Sequence, residues 1–181
     1  NQGIRLAQGR YILCLNSDTI LQKNTIKTMI EFMDKNEQYA GATCKILLPS
    51  GEIDKACHRG FPSPWAAFTY FSGLEKIFSH SRIFSQYHQG WLDLNSIHDI
   101  SVISGAFLLI RRNIINKIGL FDEQFFMYGE DIDLCYRLNK LGYKIAYNPN
   151  TKIIHYKKQS GRSKKKHNLI TQKDLIIKER A

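Results

Sequence analysis

Phe121–Arg137 reads FDEQFFMYGEDIDLCYR. An aromatic run ends in Gly129, and Glu130, Asp131 and Asp133 follow directly. Leu134, Leu138 and Leu141 then recur at helical spacing, and Gly142 closes the run. The spacing predicts a helix whose first turn carries three carboxylates. Such charge has two physical readings. The helix dipole and the unpaired N–H groups stabilise it as a cap. A general base at the rim of a pocket, beside a metal, needs the same residue types. Position alone favours capping, and the flanking segments turn the balance towards the base.

Upstream, Tyr11–Leu15 (YILCL) is a short apolar run that opens into Asn16-Ser17-Asp18-Thr19. It reads as a buried strand ending in a polar loop. Ile26, Met29, Ile30 and Met33 follow the helical period, with Asn24 placed to cap them. Ala40–Leu48 is a second strand, ended by the turn Pro49-Ser50-Gly51-Glu52. Val102–Ile110 is the most strand-like run, interrupted by Gly105. Asn113–Ile118 is a short helix closed by Gly119, and Lys144–Tyr147 is a short strand stopped by Asn148-Pro149. Strands alternating with helices imply an α/β layer fold with a mostly parallel sheet, whose ligands sit at the carboxyl ends of strands. Asp18 occupies one such end.

Arg59–Asp99 departs from this pattern. It is rich in Phe, Tyr and Trp and poor in Val and Ile. It reads as an excursion with one or two short helices, either a subsidiary core or an acceptor-binding lobe.

Composition excludes some classes. With 43% hydrophobic and 23% charged residues the chain is globular. No apolar run approaches the roughly 18 residues of a membrane-spanning helix. The opening Asn1-Gln2-Gly3-Ile4-Arg5 reads as the middle of a domain, so the chain is expected to be a fragment. Cys14, Cys44, Cys57 and Cys135 lack metal spacing and read as buried thiols in a reducing compartment. Of the net charge of +10, the segment 157–181 carries +7. This basic tail, set apart from a domain over 1–156, suits an anionic membrane surface or phosphate-bearing ligands. No nucleic-acid-binding motif accompanies it, so nucleic acid is not expected as a partner.

Three motifs in order then define a resemblance. Asn1-x-Gly3, Ala7-x-Gly9 and LNSDT (Leu15–Thr19) form the first, and SGAFLLIRR (Ser104–Arg112) the second. IGLFDEQFFMYGEDIDLCYRL, GYKIAYNP and His155 form the third. Together they closely resemble family 2 glycosyltransferases of the GT-A fold, and especially the rhamnosyltransferase-like branch of bacterial surface-polysaccharide synthesis. The resemblance implies an inverting transfer of a sugar, rhamnose among the candidates, from a nucleotide-diphosphate donor to a hydroxyl of a glycan or lipid-linked acceptor. It implies that the amino-terminal nucleotide-binding strands are missing, and a cytoplasmic location, peripheral at the inner face of the plasma membrane.

The resemblance also assigns residues. Asp18 matches the last position of the metal-binding element, here Asn16-Ser17-Asp18, and His155 a position that holds metal in some relatives; Mg²⁺ or Mn²⁺ is the implied ion. Asn1, Asn16, Asp18, Gly105 and Ala106 are implied at the donor. Asp131 matches the catalytic base, and Glu130 orients the acceptor or shares that role. Asp133 reads as a cap or as the ion-pair partner of Arg137. The alternative is an inactive relative that binds saccharide or membrane.

Overall fold

The computed structural model describes residues 1–126 and 128–157. The basic tail lies outside the described residues except for Lys157. In chain order the elements are α1 (Gln2–Leu6), β1 (Tyr11–Leu15), β2 (Thr19–Leu21), α2 (Thr25–Lys35), β3 (Tyr39–Leu47), α3 (Pro64–Phe71), α4 (Leu74–Ile77), β4 (His98–Ile100), β5 (Phe107–Arg111), α5 (Arg112–Ile118), α6 (Glu130–Lys140) and β6 (Lys144–His155).

The strands form one sheet in the order β1-β5-β3-β6-β2, with β4 also paired to β6. The expected mostly parallel sheet is instead mixed. Among the described residues, β3 and β6 run parallel, while β1–β5, β3–β5, β2–β6 and β4–β6 are antiparallel. The departure has a physical origin. An apolar run reports burial, and both pairing senses bury it equally well. Because β5 runs against both β1 and β3, the strands β1, β3 and β6 all point the same way. Their carboxyl ends therefore share one edge.

Two strand boundaries also differ from the sequence pattern. The run at Val102 becomes strand only from Phe107, because Ser104–Ala106 forms a turn closed by Phe107 N–H to the Ser104 carbonyl. The strand at Lys144 does not stop at Pro149 but continues to His155. A register shift against β3 lies between Cys44 and Lys45, opposite Asn148–Lys152. Proline has no N–H to give to a ladder and is accepted at such an irregularity. The Asn148 side chain takes the Asn150 N–H at 3.1 Å.

The core is built on β3 and β5. Ala42, Cys44, Ile46, Phe107, Leu108, Leu109 and Ile110 are all buried. Helix α2 packs Met29, Phe32 and Met33 onto the sheet, while Ile26, expected on that stripe, is exposed. Asn24 stands at the N-cap with φ +66° but makes no side-chain cap bond; asparagine tolerates this left-handed conformation. Helix α6 buries Leu134, Cys135 and Leu138. Cys44, Cys57 and Cys135 are buried free thiols, and Cys14 is half-buried.

A buried histidine sits where the excursion leaves the sheet. His58 Nδ1 donates to the His88 carbonyl at 3.0 Å, and its ring meets the edges of His98 and Tyr147. Burial, and then the neighbouring His98, push its pKa down to about 4. An unfolded histidine titrates near 6.5. The fold therefore prefers the neutral ring, and the unfolded chain takes the proton first. The stability this group contributes is complete above pH 6.5 and is lost as pH falls towards 4, by on the order of 3 kcal/mol at the bottom of that window. Urea unfolding at pH 7 and pH 5 should show the loss, and His58→Gln should flatten the slope. A slope unchanged in that variant would place the acid sensitivity elsewhere.

Candidate active site

The shared edge of β1, β3 and β6 collects polar residues from three distant parts of the chain. Asn16 and Asp18 follow β1, and His155 ends β6. Beyond β3 the chain turns back, and Asp54 N–H bonds the Ile46 carbonyl at 2.8 Å. This brings the buried Asp54 carboxylate to 3.3 Å from His155 Nδ1. Its other oxygen accepts from Lys157 Nζ at 2.7 Å and from Ala56 N–H at 2.9 Å. Burial alone would raise the Asp54 carboxyl, but Lys157, the Ala56 N–H and His155 outweigh it and hold its pKa below the ordinary value.

An ionised carboxylate only accepts hydrogen bonds, so the His155 proton belongs on Nδ1. Nε2 then presents a lone pair. It accepts from Asn16 Nδ2 at 3.2 Å and faces Asp18 Oδ1 at 3.3 Å. Asp18 Oδ1 is buried and has no hydrogen-bond partner among the described residues. A carboxylate oxygen and an imidazole lone pair facing each other repel unless a proton on the ring nitrogen or a metal cation joins them. A carboxylate oxygen, plus a nitrogen with a second carboxylate behind it, fits a divalent ion such as Mn²⁺ or Mg²⁺. No cluster of three or more His, Cys, Asp or Glu suited to a metal occurs among the described residues. Two protein ligands would leave the remaining positions to a bound phosphate and water.

The second half of the site is the start of α6. Gly129 stands at its N-cap with φ +95°, a left-handed conformation that favours glycine. The three carboxylates divide their tasks. Asp133 accepts from Arg137 Nη2 at 2.7 Å and Nε at 2.9 Å, and Arg137 also donates to the carbonyls of Ile118, Gly119 and Leu120. The ion pair read from the sequence is thus present, and it ties α6 to the end of α5. Asp131 Oδ2 accepts from Arg59 Nη2 at 2.8 Å and from Gly105 N–H at 3.3 Å. The Arg59 and Asp131 side chains are only 12% and 15% exposed. Burial would lower the Arg59 pKa, but the Asp131 charge and the Tyr87 hydroxyl raise it above its ordinary value. Glu130 Oε2 is buried without a hydrogen-bond partner among the described residues.

Ser104–Ala106 joins the two halves. Asn16 N–H approaches the Ala106 carbonyl at 3.4 Å, and Gly105 N–H reaches Asp131. A methyl group at Gly105 would touch nothing within 4 Å. A cleft of about 810 Å³ flanks the start of α6, lined by Phe61, Ser63, Phe125, Ile132 and Tyr136, with the rings of Phe61 and Tyr136 packed edge to face. A smaller concavity of about 460 Å³ lies at the opposite edge of the sheet, against Arg10 and Arg111. It is remote from these carboxylates.

Asn1 is placed differently from the other expected donor residues. Its amide donates to the Phe121 carbonyl and to Glu123, each at 2.8 Å, and accepts the Phe121 N–H at 3.1 Å. It anchors the loop that leads to α6. Arg59, Asp54 and Lys157 join the site without any signal in the sequence. They lack a motif, and their partners lie 72 to 103 residues away.

Residues 1–172 match the family model described as "Glycosyltransferase like family 2". The chain is 28% identical over 162 residues to rhamnosyltransferase WbbL of Escherichia coli (strain K12), covering 88% of this chain and 57% of that protein. It is 44% identical over 66 residues to the N-acetylglucosaminyl-diphospho-decaprenol L-rhamnosyltransferase of Mycobacterium tuberculosis (strain ATCC 25618 / H37Rv), covering 36% of this chain and 22% of that protein. To the O-antigen biosynthesis protein RfbC of Myxococcus xanthus it is 26% identical over 165 residues, covering 90% of this chain and 12% of that protein. The chain therefore spans little more than half of the first relative and much less of the others. Among solved structures, GalNAc-T7 with UDP, GalNAc and Mn²⁺ superposes with a TM-score of 0.57 at 13% identity, over 86% of this chain and 29% of that chain. The likeness establishes the GT-A fold.

The Arg59–Asp131 pair is open to a direct measurement. Arg59→Met should lower stability by about 3 kcal/mol, because it leaves a shielded carboxylate without its cation. Urea unfolding reads the change. A loss below about 0.5 kcal/mol would mean that solvent screens the pair.

Proposed function

The chain belongs to the glycosyltransferase-like family 2, and from that premise we propose that it is the catalytic part of an inverting glycosyltransferase of cell-surface polysaccharide synthesis. The proposed reaction moves a sugar, rhamnose foremost, from a nucleotide diphosphate to a hydroxyl of a glycan or lipid-linked acceptor. Its proposed place is the cytoplasmic face of the plasma membrane. One observation carries the reading. The unsatisfied Asp18 oxygen beside His155 is linked to Asp131 through Ser104–Ala106, whose Ala106 carbonyl meets Asn16 N–H and whose Gly105 N–H meets the Asp131 carboxylate.

The donor diphosphate lies along Asn16, Asp18 and the open face of Gly105 and Ala106. Asp18 and His155 would hold the divalent cation, with Asp54 fixing the ring of His155 in the tautomer that turns the Nε2 lone pair towards Asn16 and Asp18. When bound, the cation supplies charge neutralisation for the departing diphosphate. The acceptor hydroxyl enters from the cleft beside α6. Asp131 Oδ2 is already engaged by Arg59 and Gly105. Among the described residues Oδ1 accepts only the Ile132 N–H, at 2.9 Å, and keeps a lone pair for the hydroxyl proton. Glu130 Oε2 takes a hydrogen bond from the acceptor and orients it. As the proton passes to Asp131, the acceptor oxygen bonds to the anomeric carbon. The bond to the diphosphate breaks on the opposite face, and its electron pair leaves with the nucleotide diphosphate. The configuration at that carbon inverts.

The full-length protein assayed on a panel of nucleotide sugars, with and without Mn²⁺ or Mg²⁺, tests this. Metal-dependent release of nucleotide diphosphate is expected. Asp131→Asn should reduce transfer at least 100-fold. That variant leaves Arg59 short of a charge, so its fold must be checked by circular dichroism. Near-normal turnover by a folded Asp131→Asn protein would reject Asp131 as the base. Silence across the panel would favour a saccharide-binding relative without activity.

Asp18→Ala should weaken Mn²⁺ binding at least tenfold, read by electron paramagnetic resonance without substrate. Unchanged binding would place the ion elsewhere.

A further inference from the structure

We propose that the outer face of the Arg59–Asp99 excursion is a docking surface for an anionic lipid bilayer. Helix α3 buries Ala66 and Thr69 and turns Trp65, Phe68 and Phe71 outwards. Helix α4 buries Glu75 and exposes Ile77 and, just beyond it, Phe78. Phe71 is 83% exposed, Ile77 72% and Ile83 60%. Much of the patch is continuous. Ring centroids run from Phe68 to Trp65 at 5.6 Å, on to Phe84 at 6.1 Å, and from Phe84 to Phe78 at 5.0 Å. A contiguous apolar surface of this extent on a soluble domain marks an interaction site.

The patch is presented rigidly. The Trp65 indole N–H donates to the Ile83 carbonyl at 2.8 Å. A side chain at Gly90 would overlap the Ser79 carbonyl, so the loops beneath pack backbone to backbone. Phe68 and Phe71 are therefore held outwards by the structure below them.

Charge decides the occupant. Between residues 59 and 92 the only carboxylate is Glu75. It is buried and bonded to Ser85 and to both the backbone and the ring of His88. Lys76, His80 and Arg82 are exposed on the same lobe. The stretch that carries the patch is thus aromatic and cationic, and the exposed carboxylates of the excursion, Asp93 and Asp99, come after it, Asp99 being paired with Lys144 at 2.9 Å. A second copy of the chain docking face to face would set these cations against each other with no partner in the patch. An anionic bilayer accepts both features, the rings at the acyl boundary and the cations at the phosphates.

The position of the patch fits the same occupant. Ser63 caps α3 and, with Phe61 and Pro62, lines the cleft beside α6. The docking face therefore begins at the rim of the cleft proposed for the acceptor. Next to Phe125, which also lines that cleft, Phe126 is 97% exposed and Tyr128 82%. The inference deepens the reading of a lipid-linked acceptor. Its test needs no substrate, so the two can fail separately.

The test is co-sedimentation of the full-length protein with phosphatidylglycerol or phosphatidylcholine vesicles. Binding to the anionic vesicles is expected. The triple variant Phe68→Ser, Phe71→Ser, Ile77→Ser should bind at least tenfold more weakly with an unchanged melting temperature. Lys76→Glu with Arg82→Glu should remove the preference for phosphatidylglycerol. Undiminished binding by the triple variant would assign adsorption to the basic segment after Lys157 and overturn the proposal. So would a solution dimer that the same variant abolishes, in a protein that ignores vesicles.

Discussion

Everything at the site depends on how β6 pairs. This twelve-residue strand runs parallel to β3 and antiparallel to β2 and β4. Its parallel ladder with β3 makes the carboxyl ends of both strands coincide. Asp54, carried back from the end of β3, can then reach His155 at the end of β6. The short β2 pairs Thr19 with His155 and so holds Asp18 beside the same ring. The register shift at Asn148–Lys152 absorbs Pro149 without ending the strand. A strand ended at the proline would leave His155 without a fixed place. One irregularity in a ladder thus sets the position of an imidazole several residues further on.

Two ion pairs flank the site, Asp131–Arg59 shielded on both sides and Asp54–Lys157 with a buried carboxylate and a lysine 43% exposed. Each joins a carboxylate to a cation distant in sequence: Asp54 to Lys157, and Asp131 to Arg59. Shielding charges from water costs several kcal/mol per ion, and mutual attraction offsets this only with good geometry and further hydrogen bonds. Both pairs have them. Asp54 also takes the Ala56 N–H, and Asp131 the Gly105 N–H. Of the buried oxygens without partners among the described residues, those of Asp18 and Glu130 belong to this site, while those of Glu75 and Gln89 lie in the excursion. Unsatisfied groups of this kind are rare in folded proteins, and the proposed reaction gives those of Asp18 and Glu130 partners in a cation and a hydroxyl.

Local features were legible in the sequence. The strand at Tyr11–Leu15, the helices starting near Thr25 and at Glu130, and the Asp133–Arg137 pair all follow from periodicity or i,i+4 spacing. The order of the motifs pointed to the family, to which residues 1–172 match. The direction of β5 was not legible, because a fully buried strand reads as the same apolar run in either sense. The continuation of β6 was hidden by a proline that only tertiary pairing could accommodate. Arg59 and Asp54 were invisible for a different reason. Their significance lies in partners brought near by the fold, and no short-range pattern records such a contact. Asn1 shows the converse. Its motif match pointed to the donor, while its amide holds the loop at Phe121.

The aromatic excursion has a spectroscopic consequence. The chain contains two tryptophans, Trp65 and Trp91, and both belong to this lobe. The sheet and its covering helices have no indole of their own. Intrinsic tryptophan emission during unfolding therefore reports the lobe, whereas far-ultraviolet dichroism averages over the whole backbone. Coincident transitions would show that the excursion melts together with the sheet. An earlier fluorescence change would identify it as a separate cooperative unit.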